Sequence, residues 1–479
     1  MLFSSTIFLF FFFPAVFLIY YGLSFSRLMQ NIWLFLMSLL FYAWGKPVNV
    51  LLLLGSIVVN WLAGVLLGAA KKPRIRKAIL VAACIANLGV LGAFKYTGFV
   101  VEFINSLFPQ NVLTPVSIAL PIGISFFTFQ ALSYVIDVYK GTAAAEKNPF
   151  YVGLYISFFP QLIAGPIVRY NSIAEQIRVR ESSLKKISVG CCRFLVGLGK
   201  KVILANNLAI LADLVFGWSE LGTARMDLPV LTAWMGLAAY TLQIYFDFSG
   251  YSDMAIGLGL MFGFRFEENF DYPYAASSVT DFWRRWHISL TSWFREYVYF
   301  PLGGSRVTNK DIMVRNLFVV WLLTGIWHGA GWTFIFWGLW HFLFQLAERF
   351  FGYADGSRNK GWMHLYTILE VSIGWVFFRA KDLYQANVYL KNLVGLGGNS
   401  FLNDMTGFLL HEYWIFLVLG AVLSLPVAKK VNTYLVSPRF GKLGAVASWL
   451  YPAAMFALYL VCVSYIVRGS YNPFIYFNF

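Results

Sequence analysis

LLLLGSIVVNWLAGVLLGAAKKPRIRKAILVAACIANLGVLGAF, residues 51–94, sets two long apolar runs on either side of a seven-residue loop, Lys71–Lys77, that carries five cations. A helix rises 1.5 Å per residue, and about 20 apolar residues cross roughly 30 Å of hydrocarbon. Leu51–Leu67 and Ala78–Phe94, with their flanks, have that length. Short loops rich in Lys and Arg stay on the cytoplasmic side, so the stretch reads as a membrane hairpin whose loop faces the cytoplasm.

Working outward, similar runs recur at Ile7–Leu23, Trp33–Trp44, Leu120–Val138, Ile187–Phe216, Pro229–Phe246, Val314–His328, Trp332–Leu346, Met363–Phe378, Tyr413–Leu425 and Ala445–Val467. Of 479 residues, 59% are hydrophobic and 12% charged, about half the charge of a soluble domain and too little to cover a water-exposed surface. The expectation is an all-α polytopic integral membrane protein of the cell (inner or plasma) membrane, with about twelve crossings and a single membrane-embedded domain over 1–479. Ile7–Leu23 lacks a basic leader and a small-residue cleavage motif, so it reads as a retained first span with the N-terminus outside.

The net charge of +15 sits in short loops between apolar runs, where cations orient helices and meet anionic head groups of membrane lipids; nucleic acid is not an expected partner. Cys84, Cys191, Cys192 and Cys462 show no CxxC spacing, so neither zinc nor a disulfide framework is expected. No GxSxG elbow, P-loop or dinucleotide fingerprint appears in its required context, which removes the usual support for a hydrolase or a nucleotide-driven pump.

Two apolar stretches are interrupted. Phe150–Val168 holds Pro160 and Gly165-Pro166, and Arg169, Arg178, Arg180, Lys185 and Lys186 follow it. A re-entrant hairpin reconciles those cations with the hydropathy. Asp247–Phe264 contains glycines, Asp247, Ser249, Ser252 and Asp253, and reads as a second re-entrant segment; two such segments suit the lining of a cavity. Buried carboxylates need partners, and Arg284, Arg285 and Arg295 are the cations expected to pair with them. Arg265–Asp311, the longest polar interval, holds five arginines and six acids and is the expected cytoplasmic-facing functional layer.

Only five histidines exist, at 287, 328, 341, 364 and 411. His328, in LLTGIWHGAGW, ends an apolar run among glycines, where an ionisable side chain suits general-base work or, alternatively, a packed hydrogen-bonded position. His287 lies in VTDFWRRWHISLTSWFREYVYFPLGG, which reads as a helix opened by Thr280 as N-cap, with Trp283, Trp286 and Leu290 on one face. That helix suits either an interfacial element or a site in which arginines beside a histidine hold a phosphate-bearing donor.

FDFSGYSDMAIGLGLMFGF (Phe246–Phe264), ENFDYPYAASSVTDFWRRWHISLTSWFREYVYFPLGGSR (Glu268–Arg306) and TGIWHGAGWTFIFWGLWH (Thr324–His341) together resemble the core of the membrane-bound O-acyltransferase family. FYAWGKP, LPIGISFFTFQALSYVIDVYKG and FFPQLIAGPIVRY, beginning at Phe41, Leu120 and Phe158, extend the resemblance over a core of about 41–348, with C-terminal helices after about 360. The resemblance is to the bacterial branch, which covers alginate O-acetylation and D-alanyl transfer to teichoic acids. It implies a core with a central pore or funnel, catalytic His328 and His287, and a substrate region around Arg284, Arg285, Trp286, Asp247, Ser249 and Trp327. It also implies no bound cofactor or metal. The donor would be acetyl-CoA, an acyl carrier protein or another acyl thioester, and an extracytoplasmic acetyltransferase would finish the transfer to an exported polysaccharide. In that scheme His328 takes the hydroxyl proton, His287 orients the donor or steadies oxyanion charge, and Arg284, Arg285, Arg295 and Arg306 read the donor's phosphates. A transporter or flippase without chemistry of its own is the rival from another class.

Overall fold

The computed structural model describes residues 1–220, 228–304, 309–354, 361–436, 441–469 and 471–475, and all regular structure among them is helical. Five helices among the described residues are long and apolar enough to cross a membrane: Asn49–Ala69, Pro73–Lys95, Leu184–Gly217, Asp404–Leu423 and Val446–Val467. The chain gathers into two compact units, Met1–Phe194 with Ser252–Glu268, and Leu195–Tyr251 with Asn269–Ile475.

In the first unit the quoted hairpin forms as expected, Asn49–Ala69 and Pro73–Lys95, with Pro73 at the opening position of the second helix, where its missing N–H is harmless. Arg76 serves two helix ends at once, donating to Leu67 O at 2.6 Å and to Val138 O and Tyr139 O at 3.1 and 2.8 Å. A cation there answers the partial negative charge of both C-termini. The two helices are also joined by reciprocal amide hydrogen bonds between Asn60 and Asn87, at 3.0 and 2.8 Å.

Phe150–Val168 is broken as expected. Helix Pro149–Ser157 stops at Phe158, a single turn Phe159–Leu162 follows, and residues 163–169 are irregular before Tyr170–Arg178. Buried side chains take up the freed backbone groups: Ser38 Oγ accepts from Phe159 N at 3.0 Å and Tyr155 donates to Val168 O at 2.8 Å.

The second interruption does not exist. Asp247–Phe264 falls almost wholly within one 32-residue helix, Val230–Met261. Its glycines permit close packing instead of a break: a Cβ on Gly257 would lie 2.5 Å from Gly190 O in the first unit, and one on Gly250 would lie 2.8 Å from Gly197 O in the second. The carboxylates are satisfied without leaving the helix. Asp253 pairs with Arg193 at 2.7 Å, and Arg193 also holds Glu268. Asp247 pairs with Lys201 at 2.6 Å, both at most 3% exposed. The expected partners Arg284, Arg285 and Arg295 are thus replaced by cations from the preceding helical stretch, which runs Leu184–Gly199, through the π-helical turn Lys200–Ala205, into Asn206–Glu220.

Because Gly257 meets backbone, which cannot swing aside, Gly257→Ala is expected to destabilise by about 1–3 kcal/mol through overpacking. Gly89→Ala, where a Cβ meets nothing within 4 Å, is the control. Thermal unfolding of the two purified variants checks this, and equal melting temperatures would remove the packing role.

Candidate functional site

The site lies in the second unit, between residues 269 and 379. Lys310–His328 and Trp332–Phe351 pack through glycines: a Cβ on Gly325 would stand 2.5 Å from Phe334 O, and one on Gly338 2.5 Å from Trp321 O. That approach sets His328 at the last position of its helix, 3% exposed, with the rings of Trp327, Trp337 and Phe378 edge-on at 4.9, 4.9 and 5.2 Å. Trp337 stacks in turn on Trp375 at 6.0 Å and meets His341 at 5.1 Å. His341 Nδ1 lies 2.9 Å from Glu370 Oε1 deep among these indoles.

The helix expected to run through His287 is two short ones, Val279–Arg285 and Ile288–Phe294, and the bend between them is His287 itself, at φ 44° and ψ 53°. Left-handed backbone at a residue with a Cβ is uncommon and points to an external lock. That lock is Asn269, whose Oδ1 stands 3.2 Å from His287 Nδ1 and accepts from Ser289 N and Ser289 Oγ. The N-cap is Ser278, accepting from Asp281 N at 2.9 Å, not Thr280. Thr280 is drawn away because Glu348 takes its hydroxyl and its N–H, at 2.7 and 2.9 Å, as well as the N–H of Val279. Burial lowers the His287 imidazole to about 3, so the ring is neutral at physiological pH.

His287 borders a cavity of about 270 Å³ together with Trp283, Arg284, Arg295, Trp321 and Arg349. Three guanidiniums on one apolar cavity make a place for an anion attached to a carbon skeleton. A shallower groove beside it shares Arg284 and Arg349 and adds Lys310.

The expected site residues divide. His287, Arg284 and Arg295 meet at the cavity. Trp327 contacts both imidazoles, 6.2 Å from the His287 ring and 4.9 Å from that of His328. Arg285 does not line the cavity and pairs with Asp281 at 3.0 Å, one helical turn away. Trp286, 1% exposed, is packed against Phe282 and Trp375 and does not line it either. Asp247 is held by Lys201 and accepts from Ile475 N at 2.9 Å, so its carboxylate holds the segment around Ile475. Ser249 is buried, its hydroxyl makes no hydrogen bond among the described residues, and it is not on the cavity. Arg306 lies outside the described residues. Arg349 and Asn269 are the members that residue-by-residue reading passed over. Arg349 follows the last recognisable motif, and Asn269 carries no charge to mark it.

Residues 145–384 match the family described as MBOAT, membrane-bound O-acyltransferase. A probable alginate O-acetylase of Pseudomonas aeruginosa is 45% identical over 391 residues, covering 81% of this chain and 73% of its own. A peptidoglycan O-acetyltransferase of Helicobacter pylori is 39% identical over 435 residues, covering 84% and 81%. A teichoic acid D-alanyltransferase of Bacillus subtilis is 27% identical over 313 residues, covering 59% and 75%. The chain therefore belongs to the membrane-bound O-acyltransferase family, in the branch that holds the alginate O-acetylases, and is an O-acyltransferase.

Proposed function

We propose that this enzyme is a multi-pass O-acetyltransferase of the inner membrane that takes an acetyl group from a cytoplasmic thioester, acetyl-CoA or an acyl carrier protein, and passes it towards the hydroxyls of an exported polysaccharide such as alginate. A separate extracytoplasmic acetyltransferase completes the delivery. About twelve crossings and a central funnel give the two substrates access from opposite faces. The observation that carries this reading is the cavity in which Arg284, Arg295 and Arg349 surround His287, with Trp327 in contact with both His287 and His328. The arginines suit the donor's phosphates. His328 takes the proton of the attacking hydroxyl as the new C–O bond forms; the C–S bond breaks, and the proton passes to the departing thiolate. The acetyl reading stands ahead of D-alanyl transfer because the matches to the acetylating relatives are higher and cover more of this chain.

Purified enzyme in proteoliposomes, given labelled acetyl-CoA, an alginate oligosaccharide and the extracytoplasmic acetyltransferase, should form an ester. Label that crosses without forming one would assign transport instead, and activity with a D-alanyl thioester alone would assign that chemistry. Arg284→Lys should raise the donor KM roughly tenfold, the loss of about 1.4 kcal/mol of bidentate contact, with the melting temperature unchanged. Arg285→Lys should alter neither, since its half-exposed pair with Asp281 is worth little. An unchanged donor KM in Arg284→Lys would remove phosphate reading from this cavity.

A further inference from the structure

Asn269 is fully buried, and its two oxygens receive the whole turn that carries His287. The main-chain oxygen accepts from Ile288 N at 3.0 Å. The side-chain oxygen accepts from Ser289 N at 3.2 Å and Ser289 Oγ at 2.9 Å, and stands 3.2 Å from His287 Nδ1. The Ser289 hydroxyl is itself 3.4 Å from the same ring nitrogen.

The identity of the amide atom follows from chemistry. A backbone N–H can only donate, so the atom that Ser289 N faces is the carbonyl oxygen of Asn269 and not its NH2. A carbonyl oxygen can only accept. The ring nitrogen facing that same oxygen must therefore carry the hydrogen. A neutral imidazole has one N–H, so with Nδ1 protonated the lone pair is on Nε2.

We propose that Asn269 is a positioning residue that holds His287 as the Nδ1–H tautomer, so that Nε2 meets the acyl donor as a hydrogen-bond acceptor and not as a donor to an oxyanion. This rests on the acyl-transfer reading of the cavity for its consequence, though not for the tautomer. The donor feature recognised is an N–H or O–H close to the thioester, such as the amide of a cysteamine arm. Oxyanion stabilisation then falls to other groups, because a lone pair repels developing negative charge. The ionisable groups facing His287 across the cavity are Arg284, Arg295, Arg349 and Tyr299; among the described residues no carboxylate lines it, and the Phe248 and Trp327 rings pack on the imidazole.

The tautomer is read without any turnover. With nitrogen-15 histidine in the purified full chain, the His287 resonance, assigned by its loss in His287→Asn, should show a protonated Nδ1 and a bare Nε2 between about pH 5 and 8. An Nε2-protonated ring would overturn the proposal, whatever the activity. Kinetics with acetyl-CoA give the second readout. Asn269→Ala should raise the donor KM roughly tenfold, as loss of a group that orients a functional histidine does. Asn269→Asp keeps the acceptor and the tautomer but favours the imidazolium. Its donor KM should match the wild type near pH 8 and climb as pH falls towards 5, where a protonated Nε2 can no longer accept; the wild type stays flat. A flat profile in Asn269→Asp, with its histidine spectrum showing the imidazolium forming as pH falls, would refute the acceptor role. Absence of acetyl transfer by the wild type would sink the enzymatic reading and leave the tautomer standing.

Discussion

His328→Ala is expected to lower acyl transfer by roughly 100- to 10,000-fold, the range lost when a positioned acid–base group is removed. The imidazole ends its helix inside a ring cage of Trp327, Trp337 and Phe378, and those rings hold it in one orientation. Alanine leaves a small void among large indoles, and some stability goes with it, so His328→Gln is the companion variant. Glutamine fills most of the volume and can hydrogen-bond but cannot titrate. If His328 moves the hydroxyl proton, both variants should be inactive at every pH while eluting as single species. Substantial turnover by His328→Gln would show that the site needs shape and a hydrogen bond there, and no base.

Lys201→Met should have the largest effect on stability, about 3–5 kcal/mol, because it strands Asp247 in a place that is 1% exposed. The pair also holds the segment Pro473–Ile475: Lys201 Nζ donates to Pro473 O, and Asp247 Oδ2 receives the N–H of Ile475. Removing both charges with Lys201→Met and Asp247→Leu should recover much of the loss, since two well-packed apolar groups avoid the desolvation that an isolated carboxylate suffers. A double-mutant cycle on melting in detergent measures the coupling. Additive losses would mean that the two groups act independently, and a neutral Lys201→Met would mean that Asp247 has another means of staying in place.

Much of this was written in the sequence, and the misreadings share a cause. The hairpin around Lys71–Lys77 is legible because length, apolarity and a cationic loop are local properties. Phe150–Val168 is legible because Pro160 lacks an N–H and crowds the preceding turn, which kinks or breaks a helix continued through it. Gly250 and Gly257 misled because a glycine marks either a break or a close approach, and the deciding atoms, the carbonyls of Gly197 and Gly190, are more than fifty residues earlier. Ser278 and Thr280 are both able to cap, and only Glu348, on a different helix, assigns the hydroxyl of Thr280 elsewhere. Arg284 and Arg285 are adjacent, yet the seven-residue helix turns one to the cavity and the other to Asp281. In the site, His287 and His328 announce themselves by chemistry, whereas Asn269 matters only through the turn it locks.

At 1.5 Å per residue the Val230–Met261 helix is about 48 Å long, far beyond the roughly 30 Å of a typical hydrocarbon layer. A lipid-facing helix of that length would have to tilt or distort the leaflets around it. Here Ala238 is its only exposed residue, so its surroundings are side chains and not acyl tails, and its length carries no mismatch penalty. Adaptation to bilayers of different thickness then falls to Pro73–Lys95, Asp404–Leu423 and Val446–Val467, which expose most of their surface.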